Sequence, residues 1–302
     1  MSGLFCRHNR LTSKCPICSR ELEENLRKQA PPVRHVTVRK PGATSTPRSR
    51  GSGSGAARSN PNRLVTRRLA RAADDGYRNP LVPGLKATED AERLAIALTD
   101  AAQRLEPPGP YPVLATIGDK EQATWLAFLI ALAPELQQLL TEAQPRWEDA
   151  DVDALPESKA RTAAAYRAWV ERAGSQEQAF TGEPSWTPER RFDRVFERLA
   201  LPGFNRAARY DLLTALGAAG LYPLNAAAVH FVEDDATTLA AKRALVSGDR
   251  MLLERRAKDL AEAAELPIAA LDRGLAVWGS PGEDVDLTQD PLPGVAAALG
   301  LG

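Results

Sequence analysis

Arg191-Phe192-Asp193-Arg194-Val195-Phe196-Glu197-Arg198-Leu199, then Leu201-Pro202-Gly203-Phe204-Asn205-Arg206, then Ala207-Ala208-Arg209-Tyr210-Asp211-Leu212-Leu213 is the stretch from which the fold can be read. Phe192, Val195, Phe196 and Leu199 recur at helical spacing, as do Tyr210 and Leu213 after the turn. Pro202 and Gly203 stop the first helix and force a tight turn. Asn205 tolerates a left-handed backbone better than most residues. Such a turn leaves backbone N–H groups free at the start of the second helix, where a phosphate oxygen fits. Arg206 and Arg209 lie on the same side as that helix start.

The rest of the body repeats the pattern. Thr88-Glu89-Asp90 opens a helix running through Leu94, Leu98 and Leu105. Asp119 caps the next, with Gln122 placed three residues on for a capping box. Trp125-Leu126-Ala127-Phe128-Leu129-Ile130-Ala131-Leu132 is apolar on every face, which predicts a central buried helix. Further helices are predicted over Lys159–Ala173, Pro188–Leu199, Arg206–Leu216, Thr237–Val246, Met251–Ala264 and Ile268–Trp278. Period-two strand patterns and internal repeats are missing, so the fold class is all-α. The 43% apolar share is that of a globular protein, and no apolar run reaches the length of a membrane span.

Charge is segregated although the net is zero. Residues 1–73 carry sixteen Lys and Arg against three Glu, and 74–302 carry twenty-three against thirty-six acids. Such a basic arm suits a polyanion partner, or folds back on the acidic body. Residues 21–62, rich in Pro, Gly, Ser and Arg, cannot bury enough apolar surface to order themselves. All three cysteines fall in Cys6-x-His8-x6-Cys15-Pro-Ile-Cys18. Four closely spaced soft or borderline ligands, two in a Cys-x-x-Cys turn, predict a closed structural Zn2+ site. The expected domains are a zinc knuckle over 1–20, a disordered basic linker over 21–62 and a helical domain over 63–302. The odd cysteine count argues for a reducing compartment, and the start has no apolar signal region, so a cytoplasmic location is expected.

The Leu-Pro-Gly hairpin resembles the helix-hairpin-helix of the DNA glycosylase superfamily, whose turn is typically Leu-Pro-Gly-hydrophobic-Gly; Asn205 replaces the second glycine. The likeness covers the hairpin and, loosely, residues 88–280. Val232-Glu233-Asp234-Asp235-Ala236-Thr237-Thr238-Leu239-Ala240-Ala241-Lys242-Arg243 is similar to the superfamily's segment in which an aspartate at a helix N-terminus faces the flipped nucleotide. There the aspartate stabilises the cation-like sugar and assists water attack at C1′. Asp234 stands nine residues before Arg243, as in the family. Asn225, at the usual distance from the hairpin, cannot act as an acid or base. The resemblance therefore implies Asp234 and Asp235 as catalytic candidates. It implies Gly203, Asn205, Arg206, Arg209, Lys242 and Arg243 as DNA contacts. A family position for the Schiff-base lysine corresponds to Ala207, and no lysine occurs between Lys159 and Lys242. The implied enzyme is monofunctional, leaving an abasic site in an intact strand.

The segments 235–243 and Leu271-Asp272-Arg273-Gly274-Leu275-Ala276-Val277-Trp278-Gly279 are similar to a divergent branch of that superfamily. It includes the alpha-glutamyl/putrescinyl-thymine pyrophosphorylases of modified-DNA phages and bacterial relatives proposed to remove modified bases from phage DNA. The expected activity is excision of a hypermodified base, such as glucosylated hydroxymethylcytosine, by a monomer acting on double-stranded DNA in anti-phage defence. Two other readings stand beside it. One is a non-catalytic DNA adaptor in which the aspartates only cap a helix; the other is an enzyme of thymine hypermodification using an activated thymine pyrophosphate. Trp125, Trp169 and Trp278 are expected in the core and His230 as a hydrogen-bonded interior group. Trp147 and Trp186, in loops, are the better placed to reach nucleic acid.

Overall fold

The computed structural model describes residues 72–148, 155–233, 235–280 and 289–302. The expected zinc ligands Cys6, His8, Cys15 and Cys18, the basic linker and Asp234 lie outside the described residues. The described residues belong to one compact unit, Val65–Gly302. Among them every regular element is helical. The α-helices are α1 (Thr88–Leu105), α2 (Lys120–Leu132), α3 (Gln137–Ala143), α4 (Glu157–Ala173), α5 (Gln176–Thr181), α6 (Pro188–Arg198), α7 (Arg206–Ala218), α8 (Ala236–Leu245), α9 (Arg250–Ala263), α10 (Ile268–Gly279) and α11 (Pro293–Leu299). None is long and apolar enough to cross a membrane by itself.

Two hydrophobic clusters organise these helices. The first is built around α2, whose residues from Ala123 to Leu132 are all buried. Phe128 and Tyr166 stack at 3.8 Å, Trp125 joins them, and Phe180 and Tyr222 extend the aromatic core. Rings of this size bury large areas, so α2 needs no polar face to hold it in place. The second cluster joins α1, α8, α9, α10 and α11. Gly274 of α10 lets two helices meet closely: a Cβ there would lie 2.7 Å from Leu98 Cδ2 on α1. The chain thus starts in the second cluster with α1, crosses to build the first, and returns after Ala226. α7 packs on both α2 and α1, which places it at the seam.

Several local expectations are corrected. Asp119 caps α2 through Glu121 N at 2.9 Å, but no capping box forms. Gln122 instead donates to Pro145 O and accepts from Trp147 N, pinning the loop after α3. Trp147 packs edge-on against Trp125 at 5.2 Å in the first cluster, and Trp186 is buried apart from it with Arg198 over its ring at 5.1 Å, so both loop tryptophans turn inward. The reason is apolar area: a tryptophan next to an aromatic core gains more by burial than by waiting in solvent.

Candidate active site

The site grows from the α6–α7 hairpin. Thr187 caps α6 by accepting from Arg190 N, and Pro188 supplies a preset first helical residue. At the turn, Gly203 has φ +78°, a conformation an L side chain rarely adopts. A Cβ there would also lie 2.4 Å from Thr162 Oγ1, whose hydroxyl donates to Pro202 O at 2.8 Å. Asn205 is not left-handed. Its φ is −70°, and its side chain caps α7 by accepting from Ala208 N. The strain therefore sits on glycine, and the asparagine does what an N-cap does. Both residues are exposed.

Arg206, expected on the phosphate-facing side, turns inward and is 3% exposed. Its Nε donates to Asp235 Oδ2 at 2.9 Å, Nη1 to Val229 O at 3.0 Å, and Nη2 to Thr237 Oγ1 at 3.0 Å and Asp272 Oδ1 at 2.5 Å. Burial lowers the pKa of the guanidinium, but Asp272 and Asp235 outweigh it and keep the group charged. Burial pushes Asp272 up, and Arg206 pulls it back. The network ties α7 to the start of α8 and to α10. Asp235 stands at the N-cap of α8 yet makes no capping bond; its carboxylate is committed to Arg206. A guanidinium this buried, with four of its five N–H groups engaged, does not face a phosphate at the surface, which corrects the expectation for Arg206.

Arg243 is corrected in the same way. It reaches Asp90 at 3.4 Å and stacks over Trp278 at 4.3 Å, joining α8 to α1 and α10. Trp278 Nε1 donates to Asp90 O, closing that cluster. Lys242 is half-buried and lines a surface cavity with Val232 and Arg250. Arg209 lies over Phe196 at 4.4 Å and donates to Phe196 O.

Behind the Arg206 network, at the seam of the two clusters, lies a cavity of about 250 Å³. Arg104 and Leu105 of α1, Tyr111, Asp211 and Thr214 of α7, and Asp272 and Arg273 of α10 line it. Asp211 is partly buried. Its pKa is pushed up to about 7, first by burial and then by the charge of Asp272, against the pull of Arg273, Arg206 and Arg104. Burial also raises the phenol of Tyr111, which stays protonated. A carboxyl near neutrality exchanges a proton readily at working pH, and two arginines beside it favour an anionic substrate or leaving group.

Sequence reading missed Asp211, Asp272, Arg273, Arg104 and Tyr111 as a constellation. The usable signal was an acid inside an apolar helical run, as in Tyr210-Asp211-Leu212-Leu213 and Ala270-Leu271-Asp272, since aspartate is seldom buried without a partner or a task. Among the described residues no cluster of His, Cys, Asp and Glu is arranged to hold a metal ion.

Residues 145–281 match the alpha-glutamyl/putrescinyl thymine pyrophosphorylase clade 3 family. The match takes in the hairpin, the Arg206 network, Asp211 and Arg273, and leaves Arg104 and Tyr111 outside it. No curated protein and no solved structure matches the chain.

Proposed function

We propose that the protein is an enzyme of DNA base modification that transfers an amine onto an activated thymine with release of pyrophosphate. The observation that carries the reading is the seam cavity, where Asp211 shares one wall with Arg104 and Arg273. The pyrophosphorylase family match, which takes in Asp211, Asp272 and Arg273 of that cavity, supports it. In the proposed step the amine nitrogen attacks the thymine methylene carbon and its bond to the pyrophosphate oxygen breaks. Pyrophosphate leaves with the electron pair, and one N–H proton passes to ionised Asp211. Arg104 and Arg273 stabilise the negative charge that builds on the leaving group. The Arg206–Asp272 pair fixes α10 against α7 and so holds both walls. The basic segment before residue 74 supplies attraction to the DNA backbone, which the acidic body lacks.

A second reading is base excision. It draws support from the left-handed Gly203 turn opening α7 and from the carboxylate of Asp235 at the start of α8. Incubation with DNA bearing a pyrophosphate on the thymine methyl carbon, together with an amine, separates the two. Free pyrophosphate and an amine-substituted base support transfer. Abasic sites in the same DNA, without pyrophosphate, support excision and defeat the transfer reading.

A further inference from the structure

The seam cavity holds more polar side chains than the proposed transfer uses. Three of those lining it are committed elsewhere: Tyr210 Oη donates to Ala228 O at 3.1 Å, Thr214 Oγ1 donates to Tyr210 O at 2.9 Å, and Asp272 is held by Arg206. Arg104, Asp211 and Arg273 carry the chemistry assigned above. Tyr111 and Gln137 remain. Among the described residues neither of these two side chains makes a hydrogen bond.

Local structure brings both to the cavity. Tyr111 stands before the 3-10 turn Pro112–Thr116, where Leu114 N donates to Tyr111 O at 3.0 Å. The chain bends by 113° between α2 and Pro134–Ala143, and Gln137 opens α3 just after that bend. Tyr111 is 8% exposed, and a tyrosine so buried ordinarily finds a partner for its hydroxyl. Gln137 is half-buried, with an amide that offers an acceptor oxygen and two N–H donors. Polar atoms left open at a cavity wall call for water or a ligand to pair with them.

The donor and acceptor types select that ligand. A carboxamide is planar and presents an acceptor beside a donor, so it matches an edge that presents N–H beside C=O. The N3–H of thymine and either neighbouring carbonyl form such an edge. An ammonium group offers donors only and would leave the amide N–H groups unmet. A pyrophosphate offers acceptors only and would leave the amide oxygen unmet.

We propose that Gln137 and Tyr111 read the base in the seam cavity: the Gln137 amide pairs with N3–H and one ring carbonyl of thymine, and the Tyr111 hydroxyl donates to the other carbonyl. The assignment rests on the seam cavity being the thymine site of the proposed transfer. Both residues precede residue 145, where the family match begins, so this chain's own segment sets which base is accepted.

The test measures the affinity of the full chain for oligodeoxynucleotides that are abasic except at one position, which carries thymine or N3-methylthymine. Contacts to the strand are the same in both, so the difference reports the base edge. Wild type should prefer thymine about tenfold or more, because methylation removes the N3 donor and leaves the amide oxygen unpaired. Gln137→Ala should bring the two affinities within about twofold of each other. Tyr111→Phe should weaken thymine binding about fivefold and keep the N3 preference. Gln137 is only half-buried, so its variant keeps the test valid even where Tyr111→Phe unfolds. Wild-type protein that binds both strands equally overturns the proposal. So does a full preference for thymine in Gln137→Ala. Turnover is not needed for either measurement. Thymine preference without pyrophosphate release from activated DNA supports this assignment and removes the transfer reading, whereas release without the preference does the opposite.

Discussion

Replacing Arg206 by alanine should unfold the seam before it affects anything else. The guanidinium is 3% exposed and neutralises two carboxylates, Asp235 and Asp272, whose side chains are 14% and 5% exposed. Removing it strands both charges and leaves Val229 O without its donor. Breaking a buried pair by deleting one partner typically costs about 3–5 kcal/mol. For a domain of this size each kcal/mol moves the melting temperature by about 2–4 °C, so Arg206→Ala should melt about 10 °C or more below wild type. Asp272→Asn is the informative control. It keeps a polar side chain against Nη2, leaves Asp235 to balance Arg206, and should cost only about 1–3 kcal/mol. The assay is thermal unfolding followed by circular dichroism at neutral pH. An Arg206→Ala melting within about 2 °C of wild type would refute the reasoning, because the guanidinium would then be satisfying nothing that matters.

Three other outcomes are expected. Asp211 has a folded pKa of about 7 against a usual 3.8, so its ionisation in the fold is unfavourable and stability falls as pH rises between those values. Asp211→Asn should accordingly raise stability at pH 8 by up to about 4 kcal/mol, seen as a higher melting temperature, and leave it nearly unchanged at about pH 4; a lower melting temperature at pH 8 would contradict this. Gly203→Ala should destabilise by about 1–3 kcal/mol, because φ +78° and Thr162 both reject a Cβ; a melt equal to wild type would show that the turn relaxes. The spacing of Cys6, His8, Cys15 and Cys18 predicts one bound zinc per chain by elemental analysis, lost in Cys15→Ser with the helical body still folded, and zinc-free wild-type protein would end that expectation.

Sequence pattern revealed the helices well because apolar periodicity is a local property. Ile268–Gly279 and Pro188–Arg198 differ by one residue from the ranges the pattern predicts. α3, α5 and α11 went unread, being short helices of six or seven residues with too few turns to show a period. The hairpin was legible because Pro202 and Gly203 each constrain the chain in their own way. What the sequence could not show is the direction in which a side chain on α7 points once two clusters form. Arg206 looked like a surface cation by type, and only the meeting of α7, α8 and α10 puts two carboxylates around it. Asp211 lies five residues further along the same helix, and its altered proton affinity depends on Asp272 and Arg273, sixty-one and sixty-two positions away. Long-range electrostatics of that kind leave no mark on local periodicity.

If Asp211 is the base in a cavity for activated thymine, the pH dependence of pyrophosphate release follows its ionisation. With DNA carrying the thymine pyrophosphate and a saturating amine, the wild-type rate should rise through an inflection at about 7, as Asp211 loses its proton. Asp211→Asn should bind the same DNA, release pyrophosphate about a hundredfold more slowly, and show no inflection there. Pyrophosphate released by Asp211→Asn at the wild-type rate, with the inflection unmoved, would contradict the claim.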